Sequence, residues 1–199
     1  MKNKKIVIKN DIDYLKFIKK LKFYKSFFFF NTIFFVDSDY NTEEVNDICL
    51  ALNIKNRNKR IEFIYNKACQ IIADQNLNID TCGFKSNKCF VQQKLNNNKS
   101  NGCCRLCLYQ STKGCITENL TCKLFNCSEV KCRYKVLEYK DIEILKLLSL
   151  KNRFIIKHDY FSLKEDVLKD LYSISFFYSC IRILYRFVRN ILIVKFKKN

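Results

Sequence analysis

The chain has 199 residues, which is long enough for one domain with a hydrophobic core or for two small ones. Hydrophobic residues make up 48% of it, which excludes wholesale disorder. The formal net charge of +18 favours anionic partners such as nucleic acid or an acidic membrane surface. Lys and Asn are abundant while Pro and Trp are absent, which is typical of the codon bias of an AT-rich genome, and we expect such a bias to account for part of this charge.

The apolar run FFFFNTIFFV at residues 27–36 bears on the compartment of the protein. It is interrupted by Asn31 and Thr32, is followed directly by acidic residues and lacks a small-residue cleavage site, so it is not typical of a signal sequence. It is also too short to span a bilayer. The first residues of the chain are polar and mixed in charge. We therefore expect a cytoplasmic location.

Residues 1–81 predict an N-terminal helical part with short strands. The segment 4–9 is a candidate strand, and residues 11–24 carry apolar side chains at helical spacing. The phenylalanine run at 27–36 fits either a buried strand or a continuation of that helix. Periodicity does not separate these two alternatives.

Two further helices are predicted at residues 42–52 and 59–75, with a short turn between them. A helix-turn-helix would place Arg57, Lys59 and Arg60 against DNA. The turn lacks the usual glycine, however, and basic residues occur throughout the chain. A plain αα-hairpin that packs its apolar face into the core is therefore the favoured interpretation.

Residues 133–199 predict a second helical part, which packs on residues 1–81. A short helix is expected at 141–150, and a strand or extended link at 153–161. Neither helical part has enough apolar residues for a core of its own, so the two are expected to form one body.

Ser162 and Glu165 have the spacing of a capping box, which predicts a long helix from Leu163 into the 190s. Arginines and lysines recur along this helix. They are consistent with a core helix whose basic residues lie on its solvated face. They are also consistent with a basic amphipathic helix that lies on an anionic membrane or binds RNA.

The stretch from Cys82 to Cys132 departs most from ordinary composition, because it contains nine of the twelve cysteines. Such a density is typical of a disulfide or metal framework, and in a reducing cytosol it favours metal. The other three, Cys49, Cys69 and Cys180, lie on apolar helical faces and are expected to be small buried residues.

Within this stretch, Cys104 and Cys107 form a C-x2-C unit, and Cys122 with Cys127 supplies a second pair. Four thiolates suit either zinc or an iron–sulfur cluster. Because His158 is the only histidine, any such site is essentially all-sulfur, which indicates a structural or redox centre and not a hydrolytic one. The predicted metal ligands are Cys82, Cys89, Cys103, Cys104, Cys107, Cys115, Cys122 and Cys127.

Three short motifs in this region resemble the core of the bacterial zinc- or iron-chelating cysteine-cluster domain family: GCCRLC (102–107), GC (114–115) and CKLFNC (122–127). That family has a CC-x2-C element, a later Gly-Cys and an ending of the form C-R/K-x-F/Y-x-C. The gap between Cys115 and Cys122 is shorter here, and Leu120-Thr121 stands where the family has Arg-Pro. The resemblance implies binding of zinc or an iron–sulfur cluster by Cys103, Cys104, Cys107, Cys115, Cys122 and Cys127.

The sequence therefore predicts an α+β fold, mostly helical, with a loop-rich, cysteine-dense metal-binding insert at residues 82–132. The predicted function is that of a cytoplasmic metal-binding protein that holds zinc or an iron–sulfur cluster. Two alternatives stay open, namely a zinc-braced regulator that binds nucleic acid and a secreted disulfide-rich protein. No catalytic constellation is recognised, so an enzyme is not the favoured class. A protein, a nucleic acid and a membrane surface are the candidate partners.

Overall fold

The computed structural model describes residues 2–29, 32–37, 42–79, 83, 107–111, 114–115 and 117–196. Within these ranges the protein is mostly helical, with a small two-stranded parallel sheet. The predicted α+β class with a majority of helix is therefore confirmed. Residues 84–106 of the predicted cysteine-dense insert lie outside the described residues, so the insert stays a prediction, as does the division of the chain into three segments.

Strands and helices are numbered here in chain order. The strands are β1 (Lys2–Ile6), β2 (Thr32–Val36), β3 (Gln110–Ser111) and β4 (Gly114–Cys115). The α-helices are α1 (Asp11–Lys19), α2 (Leu21–Lys25), α3 (Thr42–Asn53), α4 (Arg57–Ile79), α5 (Leu120–Leu124), α6 (Ser128–Arg133), α7 (Leu150–His158), α8 (Lys164–Tyr172) and α9 (Phe176–Phe196). Short 3₁₀ helices cover Ser26–Phe29, Tyr139–Asp141 and Glu143–Leu147.

Strands β1 and β2 pair in parallel, with Lys2 opposite Thr32 and Ile6 opposite Val36. Parallel strands need a crossover connection, which α1 and α2 provide. The strand predicted at residues 4–9 is present, but it begins two residues earlier and ends at Ile6. The separate pair β3–β4 is antiparallel and very short.

The phenylalanine run contains both a 3₁₀ turn and strand β2, so neither predicted alternative describes it alone. Phe34 is buried, and its ring lies 5.6 Å from that of Tyr24 in an edge-to-face arrangement. The side chain of Asn53 accepts a hydrogen bond from the backbone nitrogen of Phe34 and donates one to its carbonyl, each at 2.8 Å. Asn53 thus pairs the backbone of β2 on the side where, among the described residues, no further strand lies.

The chain divides into two compact units, and the first combines Met1–Ala68 with Lys140–Arg153. Its core takes side chains from α2, α3, α4 and the 3₁₀ helix Glu143–Leu147. Fully buried members are Ile8, Leu21, Val45, Ile48, Leu52, Ile64, Tyr65, Ile144 and Leu145. At the edge of this core, the ammonium group of Lys25 donates to the carbonyl of Leu148 at 2.8 Å.

Arg60 closes the turn between α3 and α4. Its guanidinium donates to the carbonyl of Ile54 at 2.6 Å and lies 3.6 Å from the centroid of the Phe28 ring. Burial, together with the neighbouring Arg57, lowers the pKa of Arg60. This arginine therefore supports the helix pair from inside, whereas a recognition helix would present it to DNA.

The second unit combines Cys69–Tyr139 with Phe154–Asn199. Its described core is built by α4, α5, α6, α7, α8 and α9. Buried apolar members are Ile72, Leu120, Val130, Ile155, Ile156, Val167, Leu171 and Ile183. Within the described ranges, no helix of either unit is both long and apolar enough to cross a membrane.

The prediction of a strand or extended link at 153–161 is wrong, because Leu150–His158 form helix α7. Ile155 and Ile156 are fully buried, and Asn152 and Asp159, one helical turn to either side, are buried with them. Burial of one helical face overrides the β-propensity of adjacent isoleucines. The helix predicted at 141–150 is present only as the 3₁₀ helix Glu143–Leu147.

The long C-terminal helix is interrupted between Tyr172 and Phe176, which separates α8 from α9. The hydroxyl of Ser175 accepts a hydrogen bond from the backbone nitrogen of Tyr178 at 3.2 Å and so caps the start of α9. The predicted capping box at Ser162 is also wrong, because α8 begins after Leu163 without a side-chain cap. The Ser162 hydroxyl is bonded elsewhere, as described below.

Candidate functional site

The predicted metal ligands fall into three groups. Cys107, Cys122 and Cys127 are described by the structure, and all three are half-buried. Cys115 lies in β4, where only its backbone is described. The remaining predicted ligands, Cys82, Cys89, Cys103 and Cys104, lie outside the described residues.

The backbone beside Cys107 is held by a buried side chain of α9. The backbone nitrogen of Leu108 donates to the Oδ1 of Asn190 at 3.1 Å. Asn190 is only 2% exposed. The Sγ of Cys107 itself accepts a hydrogen bond from the backbone nitrogen of Tyr109 at 3.4 Å. The backbone next to Cys107 is therefore attached to α9 by a part-buried hydrogen bond.

The backbone of Cys122 is held in a similar way by Asn119, the N-cap residue of α5. The Oδ1 of Asn119 accepts from the Cys122 nitrogen at 3.2 Å. Its Nδ2 donates to the carbonyls of Asp159 and Ser162 at 2.8 and 3.0 Å. Asn119 is fully buried, so one side chain links the helix that carries Cys122 to the loop between α7 and α8.

Cys127 is the N-cap residue of α6, where its carbonyl accepts from the backbone nitrogen of Lys131 at 3.1 Å. Cys132, near the other end of this helix, is exposed. Between α5 and α6, the ring of Phe125 packs edge-on against that of Tyr160 at 5.9 Å. The connection that separates Cys122 from Cys127 is therefore also attached to the α7–α8 loop.

A buried ion network lies beneath this loop. Arg186 contacts the Oδ2 of Asp159 at 2.9 Å and the hydroxyl of Ser162 at 2.8 Å, and forms an ion pair with Asp170. Ser162 donates in turn to Asp159, and Arg182 forms a second ion pair with Asp170. Asp159, Ser162 and Asp170 are fully buried. Two guanidiniums face two carboxylates, so the cluster is formally neutral.

The electrostatics of the network follow from burial and pairing. Burial raises the pKa of the Asp159 carboxyl, although the hydrogen bond from Ser162 and the charge of Arg186 oppose this. Burial disfavours the charge on Arg186 too, but Asp159 and Asp170 outweigh it and raise the pKa of the guanidinium. The charged arginine is thus fixed to its partners, and removing it would leave uncompensated carboxyl groups.

Helix α9 organises this part of the unit through one face, whose members follow each other at intervals of three or four residues. They are Ser179, Ile183, Arg186, Asn190 and Val194. The hydroxyl of Ser179 donates to the carbonyl of Asp170 at 3.3 Å. The inner face of α9 therefore carries three polar side chains: Ser179 and Arg186 bond to Asp170 of α8, and Asn190 bonds to the backbone beside Cys107.

The interpretation of this helix as a core helix with arginines on its solvated face is wrong in one respect. Arg186 lies on the inner face, whereas Leu184, Tyr185 and Val188 are exposed. Pairing with buried carboxylates outweighs the usual preference of arginine for solvent. The signal available in the sequence was the helical spacing of polar residues within an apolar segment.

Two cysteines outside the cysteine-rich stretch have environments unsuited to a metal ligand. Cys49 is buried, and burial raises its pKa to about 12. Cys69 donates to the carbonyl of Glu118 at 3.7 Å, and burial raises its pKa to about 11. Burial thus disfavours, at both positions, the thiolate form that binds metal.

His158 and Asp159 are adjacent in sequence but have different surroundings. The ring of His158 packs against that of Phe154 with centroids 4.4 Å apart, and the side chain is exposed. The carboxyl group of Asp159 is instead bonded to Arg186. The two residues therefore do not form a proton-transfer pair.

A cleft of about 460 Å³ opens beside α5 and α6. It is lined in part by Lys131, Glu138, Tyr139 and Lys157. Lys131 and Glu138 form an ion pair at 3.6 Å, and the ammonium of Lys157 lies 4.6 Å from the Tyr139 ring centroid. The charges of this cleft are of both signs, and they carry no preference for one class of ligand.

Across the part of the chain that the structure describes, no three His, Cys, Asp or Glu side chains come together as a metal site would require. Cys107, Cys122 and Cys127 are therefore not brought together at one point, and a site with four thiolates would need at least two ligands from the cysteines of residues 82–106 or from Cys115. The metal and cofactor assignments stay predictions.

Comparison with known proteins gives no relative. No family model matches the chain, and no match is found among curated proteins or among solved structures. The resemblance of residues 102–127 to the metal-chelating domain family therefore rests on the quoted motifs alone.

Proposed function

We propose that the protein binds zinc or an iron–sulfur cluster through the cysteines of residues 82–132, and that the metal has a structural or redox role. The observation that carries the proposal is the fixing of the backbone beside two predicted ligands. Asn190 holds the residue after Cys107, and Asn119 holds Cys122 itself. Buried amides stabilise a fold only when their hydrogen bonds are made, so these contacts favour one defined backbone at both cysteines.

The donor chemistry is consistent with such a group. Cys107, Cys122 and Cys127 are half-buried, which suits thiolates that must be reachable by a metal and shielded from solvent. We propose that the eight predicted cysteines supply the ligands, with no more than two of Cys107, Cys122 and Cys127 in any one set, because these three do not come together in the structure. A zinc ion bound by four thiolates would stabilise the fold of this segment, whereas an iron–sulfur cluster would allow electron transfer.

The proposal includes a reducing, cytoplasmic location, because thiols that bind metal must not be oxidised to disulfides. It also accounts for the contrast among the cysteines. Cys49 and Cys69 have raised pKa values and apolar or backbone contacts, whereas the proposed ligands cluster in one quarter of the chain.

The proposal is tested by titrating the reduced full-length chain with Co²⁺ under anaerobic conditions. Tetrahedral cobalt bound by thiolates gives visible d–d bands and a near-ultraviolet charge-transfer band. We expect both in the native chain and in the control Cys180→Ser, whose cysteine lies in α9. We expect their loss in the double variant Cys122→Ser/Cys127→Ser.

The proposal would be contradicted if the native protein showed neither cobalt band after cobalt addition and also no visible absorbance of an iron–sulfur cluster after reconstitution with iron and sulfide. Bands of equal intensity in the double variant would contradict the ligand assignment. The far-ultraviolet circular dichroism of each variant without metal shows whether the rest of the fold is intact.

A further inference from the structure

The outward face of α9 is apolar along its whole length. Its members follow helical spacing and are Phe177, Ile181, Leu184, Tyr185, Val188 and Leu192. Each is exposed, Phe177 by 75% and Leu184 by 62%. The arrangement differs from an ordinary surface helix, because large apolar side chains face outward while Ser179, Arg186 and Asn190 lie on the inner face beside Ile183 and Val194. A continuous apolar strip of this kind marks an interaction surface.

Basic side chains border this strip. Arg189 is exposed one helical turn after Tyr185, and Lys195 is exposed near the C-terminal end of the helix. Residues 176–199 include no Asp or Glu, and Lys197 and Lys198 follow the helix directly. The partner of this face should therefore be apolar at its centre and negatively charged around it.

We propose that the outward face of α9 binds the surface of an anionic phospholipid bilayer, with the helix lying in the membrane plane. Phe177, Leu184 and Val188 would enter the boundary between headgroups and acyl chains, where apolar helix faces bind. Tyr185 has an aromatic ring with a polar tip, which suits the same depth. Arg189 and Lys195 would contact lipid phosphates. This inference is independent of the metal proposal.

Two other occupants fit the surface less well. A second copy of the chain offers no Asp or Glu within residues 176–199 to pair with Arg189 and Lys195, and each copy has a net charge of +18. A nucleic acid would need cations at the centre of the face, where phosphates bind, but that position is taken by Leu184 and Val188.

The test measures co-sedimentation of the full-length protein with phosphatidylcholine vesicles that contain or lack phosphatidylglycerol. We expect binding that requires the anionic lipid and weakens as salt is added. Leu184→Glu should reduce the affinity at least about tenfold, because a charge replaces apolar area at the centre of the strip. The matched control is Ile12→Glu in α1, since Ile12 is 63% exposed and lies outside the strip. It should bind as the native chain does.

Neutralisation tests the charge contribution separately. Arg189→Gln and Lys195→Gln should each weaken vesicle binding about fivefold. The proposal is overturned by three outcomes: no binding to anionic vesicles, equal binding of Leu184→Glu and native protein, or a dimer in sedimentation velocity that Leu184→Glu abolishes and that does not bind vesicles. Melting curves without lipid confirm that both glutamate variants are folded.

Discussion

The side-chain nitrogen of Asn119 donates a hydrogen bond to the backbone carbonyl of Asp159 at 2.8 Å, across 40 positions of sequence. The carboxyl group of the same Asp159 is bonded to Arg186 on α9. A continuous polar path therefore leads from the backbone of Cys122, through Asn119 and Asp159, to the inner face of α9. Every polar member of this path is buried or half-buried. Disrupting the path is therefore expected to lower the stability of the protein and to shift the backbone at Cys122.

Replacement of Asn119 by Ala should lower the free energy of unfolding by about 3 kcal/mol. About 1 kcal/mol comes from the lost cap of α5, and the rest comes from the buried carbonyls of Asp159 and Ser162, which lose a donor. Urea denaturation followed by circular dichroism measures the change. Asn126→Ala is the matched control, because the bond that Asn126 makes within the described part of the chain is a long one, 3.5 Å to the Leu124 carbonyl. Equal stability of the two variants would contradict the role given to Asn119.

Replacement of Arg186 by Met should destabilise the protein by about 3–5 kcal/mol, since Asp159 would stay buried without its arginine and Asp170 would lose one of its two arginines. Arg189→Met, which alters an exposed arginine of the same helix, should change the stability by no more than about 0.5 kcal/mol. Chemical denaturation in lipid-free buffer compares the two. If the variants were equally stable, the ion network would not be the anchor of α9.

The partly buried charge of Lys25 should make the stability of the first unit depend on pH. Burial, followed by the charges of Arg153, Lys22 and Arg60, lowers the pKa of Lys25 from 10.5 to about 8. Between these values the unfolded chain binds more protons than the folded chain, so stability from this group rises with pH. The cost of burying the charge is fully present below pH 8 and disappears above 10.5.

The measurement is the difference in unfolding free energy between native protein and Lys25→Met across this interval. Other titrating groups cancel in that difference. As the pH rises through this interval, the difference should change by about 1 kcal/mol in favour of the native chain. This value is reduced because the Lys25 side chain is half-exposed. The Leu148 carbonyl keeps Arg153 as a donor at 3.1 Å in the variant. A constant difference across the interval would show that the Lys25 ammonium is not disfavoured by burial.

Helices α3 and α4 were predictable from the sequence because their signals are local. Apolar residues recur at helical spacing in both, and Glu43 and Glu44 mark the first turn of α3. Helix α7 was not predictable in this way, since its pair of isoleucines suits a strand equally well. Only the core into which Ile155 and Ile156 pack decides between the two.

The contacts of the candidate site were even less predictable from the sequence than helix α7 was. The role of Arg186 depends on Asp170 and Asp159, which lie 16 and 27 positions away. The helical spacing of Ser179 and Asn190 with Arg186 was visible, but the partners of a polar stripe are a property of the folded chain. The density of cysteines was evident at once, whereas their grouping into ligand sets depends on three-dimensional contacts.

The most direct test of the metal proposal is elemental analysis with an absorbance spectrum of the full-length protein, purified anaerobically from a reducing cytosol. The account predicts one or two equivalents per chain of zinc in a colourless sample, or iron with labile sulfide in a brown one. Variant Cys122→Ser/Cys127→Ser should lose metal, and Cys180→Ser should keep it. Protein that contains no metal and whose cysteines are already paired as disulfides would contradict the account, including its cytoplasmic location.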